Sequence, residues 1–185
     1  MHLSHPRIAP LADADLTPDQ KAALAPVSAN GPPLNIFRTL ARAPSALTSF
    51  LAWGSYILSK KNALPARERE IVILRTGFLC RSGYEWTQHA EIGKRSGLTE
   101  DEIARIKTGL GFSQADSALI KACDELHTRQ FICESTWAEL GAHFSEKQCM
   151  DTVFTAGQYT QVSMMLNSFG VQLDPGQTLD PDLRA

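Results

Sequence analysis

Residues 65–96 read PAREREIVILRTGFLCRSGYEWTQHAEIGKRS, and this run decides the fold. Pro65 suits a helix start, where its missing N–H costs nothing. The helix that follows opens with Arg67, Glu68, Arg69 and Glu70. It then becomes apolar on nearly every side, through Ile71–Leu74 and Phe78-Leu79. A helix apolar all round is a central one, covered by its neighbours. Ser82 to Ser96 predicts a second helix, closed by Gly97 at the C′ position.

The same reading extends outward. Upstream, Thr17-Pro18-Asp19 is an N-cap with proline at N1, opening a short helix to about Ala25. Asn30-Gly31-Pro32-Pro33 is a loop. Leu34 to Ala41 forms another short helix. Pro44 to Lys61 is amphipathic, with Leu47, Phe50, Leu51, Gly54, Ile57 and Leu58 on one stripe. Downstream, Thr99 with Glu102 and Ser145 with Gln148 are capping boxes that open helices to Ile106 and to about Leu166. Between them lie helices from Ser113 to Gln130 and from about Thr136 to His143. His127 falls on the apolar stripe of the first of these and reads as a core histidine. No segment alternates apolar and polar residues as a half-buried strand does. The expected fold is all-α, a single compact domain of roughly eight helices over residues 17–170. An extended arm (1–16) precedes it, and a Pro- and Asp-rich tail (171–185) follows.

Bulk composition narrows the function. The formal net charge is −2, from 18 basic and 20 acidic residues, so there is no broad attraction for nucleic acid or an anionic membrane surface. The longest apolar runs fall far short of the roughly 20 residues that span a bilayer. The N-terminus lacks the pattern of a secretory signal, and a cytoplasmic location is expected. Cys80, Cys123, Cys133 and Cys149 form no C-x-x-C pair and are expected to be free thiols, most of them buried. The histidines form no cluster with them, so no metal site is expected.

Glu70 and the trio Ser82, Glu85 and His89 form the candidate site. The trio is spaced i, i+3, i+7, on one face of a helix. If the two helices pack antiparallel across the connection near Cys80, Glu70 returns beside His89. A carboxylate there favours the charged imidazole, and two nearby carboxyls push each other's pKa apart. That leaves one group able to donate a proton and one able to accept it. Plainer readings compete. Ser82 and Glu85 form a capping box, Glu85 and His89 make a solvated i, i+4 pair, and Glu70 closes a charged first turn. Cys80 is either a reactive thiol at a helix end or a buried, inert one.

The segment Leu64 to Ile103, with its Arg-Glu run and Tyr84-Glu85-Trp86-x-x-His89, resembles the core of the carboxymuconolactone decarboxylase family, which includes the alkyl hydroperoxidase D-like proteins. The likeness extends loosely to Leu34–Leu40 and Asn167–Gly170. It implies an all-helical homo-oligomer, a dimer, trimer or hexamer, that acts on a small molecule and needs no cofactor. In the hydroperoxidase branch the motif is Glu, then C-x-x-C, then His. Glu70 and His89 match its ends, but Ser82 and Glu85 stand where its cysteines would be. Dithiol peroxidase chemistry requires an attacking and a resolving thiol. The resemblance therefore favours a decarboxylase acting on a carboxylated unsaturated lactone. It implies His89 as general acid or oxyanion donor, Glu70 as its orienting partner and Glu85 as a second proton carrier. Cys80, Ser82, Tyr84 and Trp86 would shape the substrate pocket, and Arg75 or Arg81 would hold the substrate carboxylate. Two alternatives stay open: a peroxide-reducing enzyme that uses Cys80, and a non-catalytic small-molecule-binding oligomer.

Overall fold

A computed structural model describes residues 1–29 and 31–184. Asn30, which the sequence reading places in a loop, and Ala185, in the tail, lie outside the described residues. The described chain is all-α, with no strand. Its helices are α1 (Pro18–Ser28), α2 (Asn35–Leu40), α3 (Pro44–Leu58), α4 (Ala66–Leu79), α5 (Gly83–Arg95), α6 (Glu100–Ile106), α7 (Gln114–Arg129), α8 (Glu134–His143) and α9 (Glu146–Phe169).

The apolar run makes α4 the axis of the molecule. Every residue from Glu70 to Gly77 is buried, and α5, α7 and α9 pack around it. Ile71, Val72 and Leu74 face a core shared with α5 to α9, while Ile73 faces a second core with Ile36, Ile57, Tyr159 and Val162. Each fully buried aliphatic side chain of this kind contributes about 1.5–3 kcal/mol.

The turn from α4 to α5 is short. Arg81 takes a left-handed conformation at φ 53°. The Ser82 N–H donates to the Gly77 carbonyl at 2.8 Å and the Cys80 N–H to the Thr76 carbonyl at 2.9 Å. These bonds satisfy the last carbonyls of α4 and fold α5 back along it. For a non-glycine residue such a conformation costs roughly 1–2 kcal/mol, which the buried α4–α5 contact offsets. Helix α9 runs three residues past the expected Leu166. It ends on left-handed Gly170, where a Cβ would lie 2.9 Å from the His5 carbonyl oxygen. Helix α8 begins two residues before the expected Thr136, because the Glu125 carboxylate takes up the Cys133 N–H at 2.8 Å.

Arm and tail both dock on the helices. The N–H groups of Arg7 and Ile8 donate to the Phe169 carbonyl, and Leu11 is buried in a third core with Leu24, Ala41 and Leu47. In the tail, Lys107 pairs with Asp180 and Asp182, and Leu183 is buried. Asp174 ties the tail to two helices. It accepts from the Tyr84 hydroxyl at 2.6 Å, from Gln88 Nε2 at 2.8 Å and from the Asn35 N–H at 2.8 Å. Truncating it strands a buried phenol and a helix-terminal N–H. Asp174→Ala should therefore lower unfolding free energy by about 3 kcal/mol in urea titration. A loss below about 1 kcal/mol would mean that solvent replaces all three bonds.

Candidate active site

Because α5 runs back along α4, Glu70 and His89 meet although 19 positions separate them. Glu70 Oε2 lies 2.7 Å from His89 Nδ1, and both residues are buried. The carboxylate fixes the ring and leaves Nε2 as the free nitrogen. From α9, Tyr159 stands edge-on to the imidazole, with ring centroids 4.8 Å apart at 86°.

Glu85 lies one helical turn before His89 and is 2% exposed. Its Oε2 accepts a hydrogen bond from the Ser163 hydroxyl at 2.7 Å. Its Oε1 is buried with no hydrogen-bond partner among the described residues. A Cβ added at Gly77 on α4 would collide with this oxygen. Gly77 thus admits the carboxyl between the helices. Burial pushes the Glu85 pKa well above the ordinary glutamate range. The Ser163 bond works against that rise, and the charge of Glu70 adds to it. The site therefore combines a carboxyl whose burial favours its neutral form with a second carboxyl hydrogen-bonded to an imidazole.

Glu85, His89 and Tyr159 form one wall of a cavity of about 500 Å³, with Glu70 and Ser163 behind them and outside its lining; the volume is inside the roughly 300–1,000 Å³ range of ordinary ligand pockets. Tyr84, Glu85, Gln88, His89 and Ile92 of α5 line it together with Gln158, Tyr159 and Val162 of α9. Ile36, Phe37, Phe50, Leu51 and Ile57 contribute to its apolar wall. No lysine or arginine is among the described lining residues. Arg75 is committed elsewhere, to Asp124 at 2.6 Å and to the carbonyls of Ile106 and Lys107. Arg81 is exposed and reaches the Arg184 carbonyl. Neither meets the cavity as the sequence reading expected. The described residues contain no group of three or more His, Cys, Asp or Glu side chains placed to hold a metal.

The other expected pocket residues divide. Tyr84 lines the cavity and donates its hydroxyl to Asp174. Trp86 does not line it. It sits in the opposite core, tilted against Phe78 at 5.6 Å. Ser82 is fully buried outside the cavity, and its hydroxyl makes neither a cap nor any other hydrogen bond. The expected Ser82–Glu85 capping box is absent because Glu85 turns to Ser163 instead. Cys80 is half-buried outside the cavity, 3.8 Å from His127 Nδ1. Its pKa is raised, first by burial and then by Glu85, which makes it a poorer nucleophile. His127 is exposed in the last turn of α7 and is not the core residue expected. Of the four cysteines, all free, Cys123 and Cys149 are buried and Cys80 and Cys133 are not.

Sequence reasoning missed Tyr159, Ser163, Gln158, Gln88 and Gly77. One signal was available. Polar residues recur at helical spacing along α9, at Thr152, Tyr159 and Ser163, and all are buried. Such a stripe inside a long helix marks a face that meets other polar groups.

The raised pKa of Glu85 carries a stability signature. Between the ordinary value of 4.5 and the raised folded value, the native state holds more protons than the unfolded one. Stability then falls as pH rises through that window. Glu85→Gln removes this dependence, so its stability relative to wild type should climb as pH rises from 4.5. Urea midpoints across that range measure it. A difference flat with pH would show that the carboxyl ionises at its ordinary value.

The family model described as the carboxymuconolactone decarboxylase family matches residues 44–127. No curated protein matches the sequence. Solved structures do. An uncharacterised peroxidase-related protein from Ralstonia eutropha JMP134, with an alkylhydroperoxidase AhpD core, superposes with TM-score 0.78 at 19% identity over 93% of this chain and 95% of that one. The debrominase Bmp8 gives TM-score 0.75 at 14% identity over 91% and 92%. A cysteine-to-alanine variant of that debrominase, in complex with 2,3,4-tribromopyrrole, gives 0.73 at 13% identity over 93% and 94%. At these identities the structures share the fold. The sequence match spans α3 to α7 and contains Glu70, Glu85 and His89. Residues 44–127 are thus similar to the carboxymuconolactone decarboxylase family, and the chain has the fold of the alkylhydroperoxidase AhpD-core structure.

Proposed function

We propose that this protein is a cofactor-independent decarboxylase that acts on a small carboxylated unsaturated lactone or a related ring compound. One observation carries the reading: a buried carboxyl, whose burial favours its neutral form, sits one turn from a carboxyl-anchored histidine on the wall of a largely apolar cavity. Loss of carbon dioxide breaks a carbon–carbon bond and leaves its electron pair on the ring. Conjugation moves that pair onto the lactone carbonyl oxygen. The chain must then stabilise an oxyanion and return one proton to carbon. His89, presenting Nε2, is the oxyanion partner. Glu70 orients it. Glu85 delivers the proton. An apolar wall also favours the step, because departing carbon dioxide is neutral where the carboxylate was charged.

The absence of lysine and arginine from the described lining bears on the substrate. The substrate carboxylate is met by the acid form of Glu85 and by the His89 ring, so compounds with a single negative charge fit better than more highly charged ones. The small unsaturated ring bound by the debrominase variant, 2,3,4-tribromopyrrole, supports a ring of similar size here. The thiol-peroxidase alternative has weaker support, since Cys80 lies outside the cavity with a raised pKa. A homo-oligomer is also proposed. Trp53, Met150 and Phe154 are exposed together on α3 and α9, with the Trp53 and Phe154 rings 5.7 Å apart, and an apolar patch of this kind suits a subunit contact. No helix is long and apolar enough to cross a membrane.

Carbon dioxide evolution from a panel of carboxylated butenolides tests the reading. His89→Ala should lower kcat by about 10²–10⁴-fold, the span of a proton-transfer group, and Glu70→Gln should lower it by a smaller factor. Unchanged turnover in both variants would remove the assigned roles. No turnover by wild type on any member of the panel would move the protein out of this reaction class.

A further inference from the structure

The lining of the cavity divides by element. Its carboxyl, imidazole, amides and phenols all come from α5 and α9. Helices α1 to α3 supply an apolar lining instead, with Val27, Phe37, Phe50, Leu51 and Leu58. Ser55 and Ser59 are the polar exceptions there, and the Ser59 hydroxyl is spent on the Tyr56 carbonyl at 3.1 Å. Size adds a second observation. A cavity of roughly 150 Å³ accommodates a benzene ring. A lone lactone ring at Glu85 and His89 therefore leaves most of the 500 Å³ unfilled. Gly54 enlarges the apolar part. It lies inside α3 on the cavity side, where a helix ordinarily disfavours glycine. A Cβ added there would meet no packed neighbour within 4 Å. Leu58 lines the cavity and is 47% exposed, so the cavity opens to solvent along α3.

We propose that the substrate carries an apolar substituent on its ring, and that this substituent lies along Phe37, Phe50, Leu51 and Gly54 of α2 and α3. The proposal rests on the reading of the cavity as a lactone site and adds what else the molecule must carry. The reacting ring sits against Glu85 and His89, as that reading has it. Its substituent runs toward α3 and the opening at Leu58. A ring alone would leave this wall facing water, whereas a substituted ring removes apolar surface from water on both partners. Binding energy gained there is remote from the reacting carbon and holds the ring in place for the reaction. Discrimination among substrates with one ring type then lies with α3, while the chemistry stays with α5.

Calorimetric titration of the intact protein with γ-methyl, γ-butyl and γ-hexyl butenolide tests this. The probes carry no carboxylate, so binding is read without turnover. Affinity should rise about fourfold for each methylene that the wall receives. Gly54→Leu fills the same space from the protein side. In that variant the hexyl compound should lose at least about tenfold more affinity than the methyl compound. Gly54→Ala, which adds one carbon, should shift the pair in the same direction by less. Thermal melts and sedimentation establish that each variant keeps its fold and assembly. Affinity independent of chain length in wild type, or equal losses of the two compounds in Gly54→Leu, would overturn the substituent while leaving the lactone site in place. A flat series from a protein that sediments as an oligomer would assign the α3 wall to a second copy instead. Binding of no member of the series would overturn the lactone reading and the substituent together.

Discussion

The contact between Glu70 and His89 organises the molecule. A carboxylate that is 1% exposed is tolerated only with a partner, and the imidazole across the helix pair supplies it at 2.7 Å. That contact requires α4 and α5 to run antiparallel and close together. Two glycines permit it. Gly77 leaves room for Glu85. At Gly93 an added Cβ would press on Leu98 at 3.1 Å and approach Glu70 Cβ at 3.8 Å. The left-handed turn at Arg81 supplies the reversal. The site is thus built on the central helix, and its geometry is supported by the same packing that supports the fold.

A second consequence follows from the crowding. Two carboxyls near one another in a buried space cannot both ionise cheaply. Glu70 has the histidine, whereas Glu85 has a neutral hydroxyl on one oxygen and nothing on the other. Burial, with only one neutral partner to offset it, raises the Glu85 pKa. Ser82 and Glu85 place a buried hydroxyl and a buried carboxyl at the start of α5. Cys80 does not restore the missing sulfur chemistry, because it opens to a different face and sits beside Glu85.

Much of this was legible in residues 65–96. The all-round apolar run identified the central helix, and the spacing of Glu70 and His89 anticipated their meeting. The capping boxes at Thr99 and Ser145 were legible too, because both partners are local. The Ser82–Glu85 box failed for a long-range reason: Ser163, 78 positions away, competes for the Glu85 carboxyl. Helical periodicity also held information that the motif obscured. Tyr84, Glu85, Gln88, His89 and Ile92 share one face of α5, while Trp86, about 100° around the axis from Glu85, faces the other core. The stripe that carried His127 runs beyond the edge of the core at its last turn, so apolar neighbours misassigned an exposed residue. The tail looked loose by composition. Asp174 anchors it through partners on α2 and α5 that no local pattern reveals.

The central claim is that burial beside the hydrogen-bonded Glu70–His89 pair holds Glu85 in its acid form well above the ordinary glutamate range. The side-chain carboxyl ¹³C resonance of Glu85, assigned by its loss in Glu85→Gln and followed from acid to alkaline pH, measures this most directly. The account predicts the chemical shift of a neutral acid through neutral pH, with ionisation only well above the ordinary value of 4.5. A carboxylate shift already present at neutral pH would contradict it.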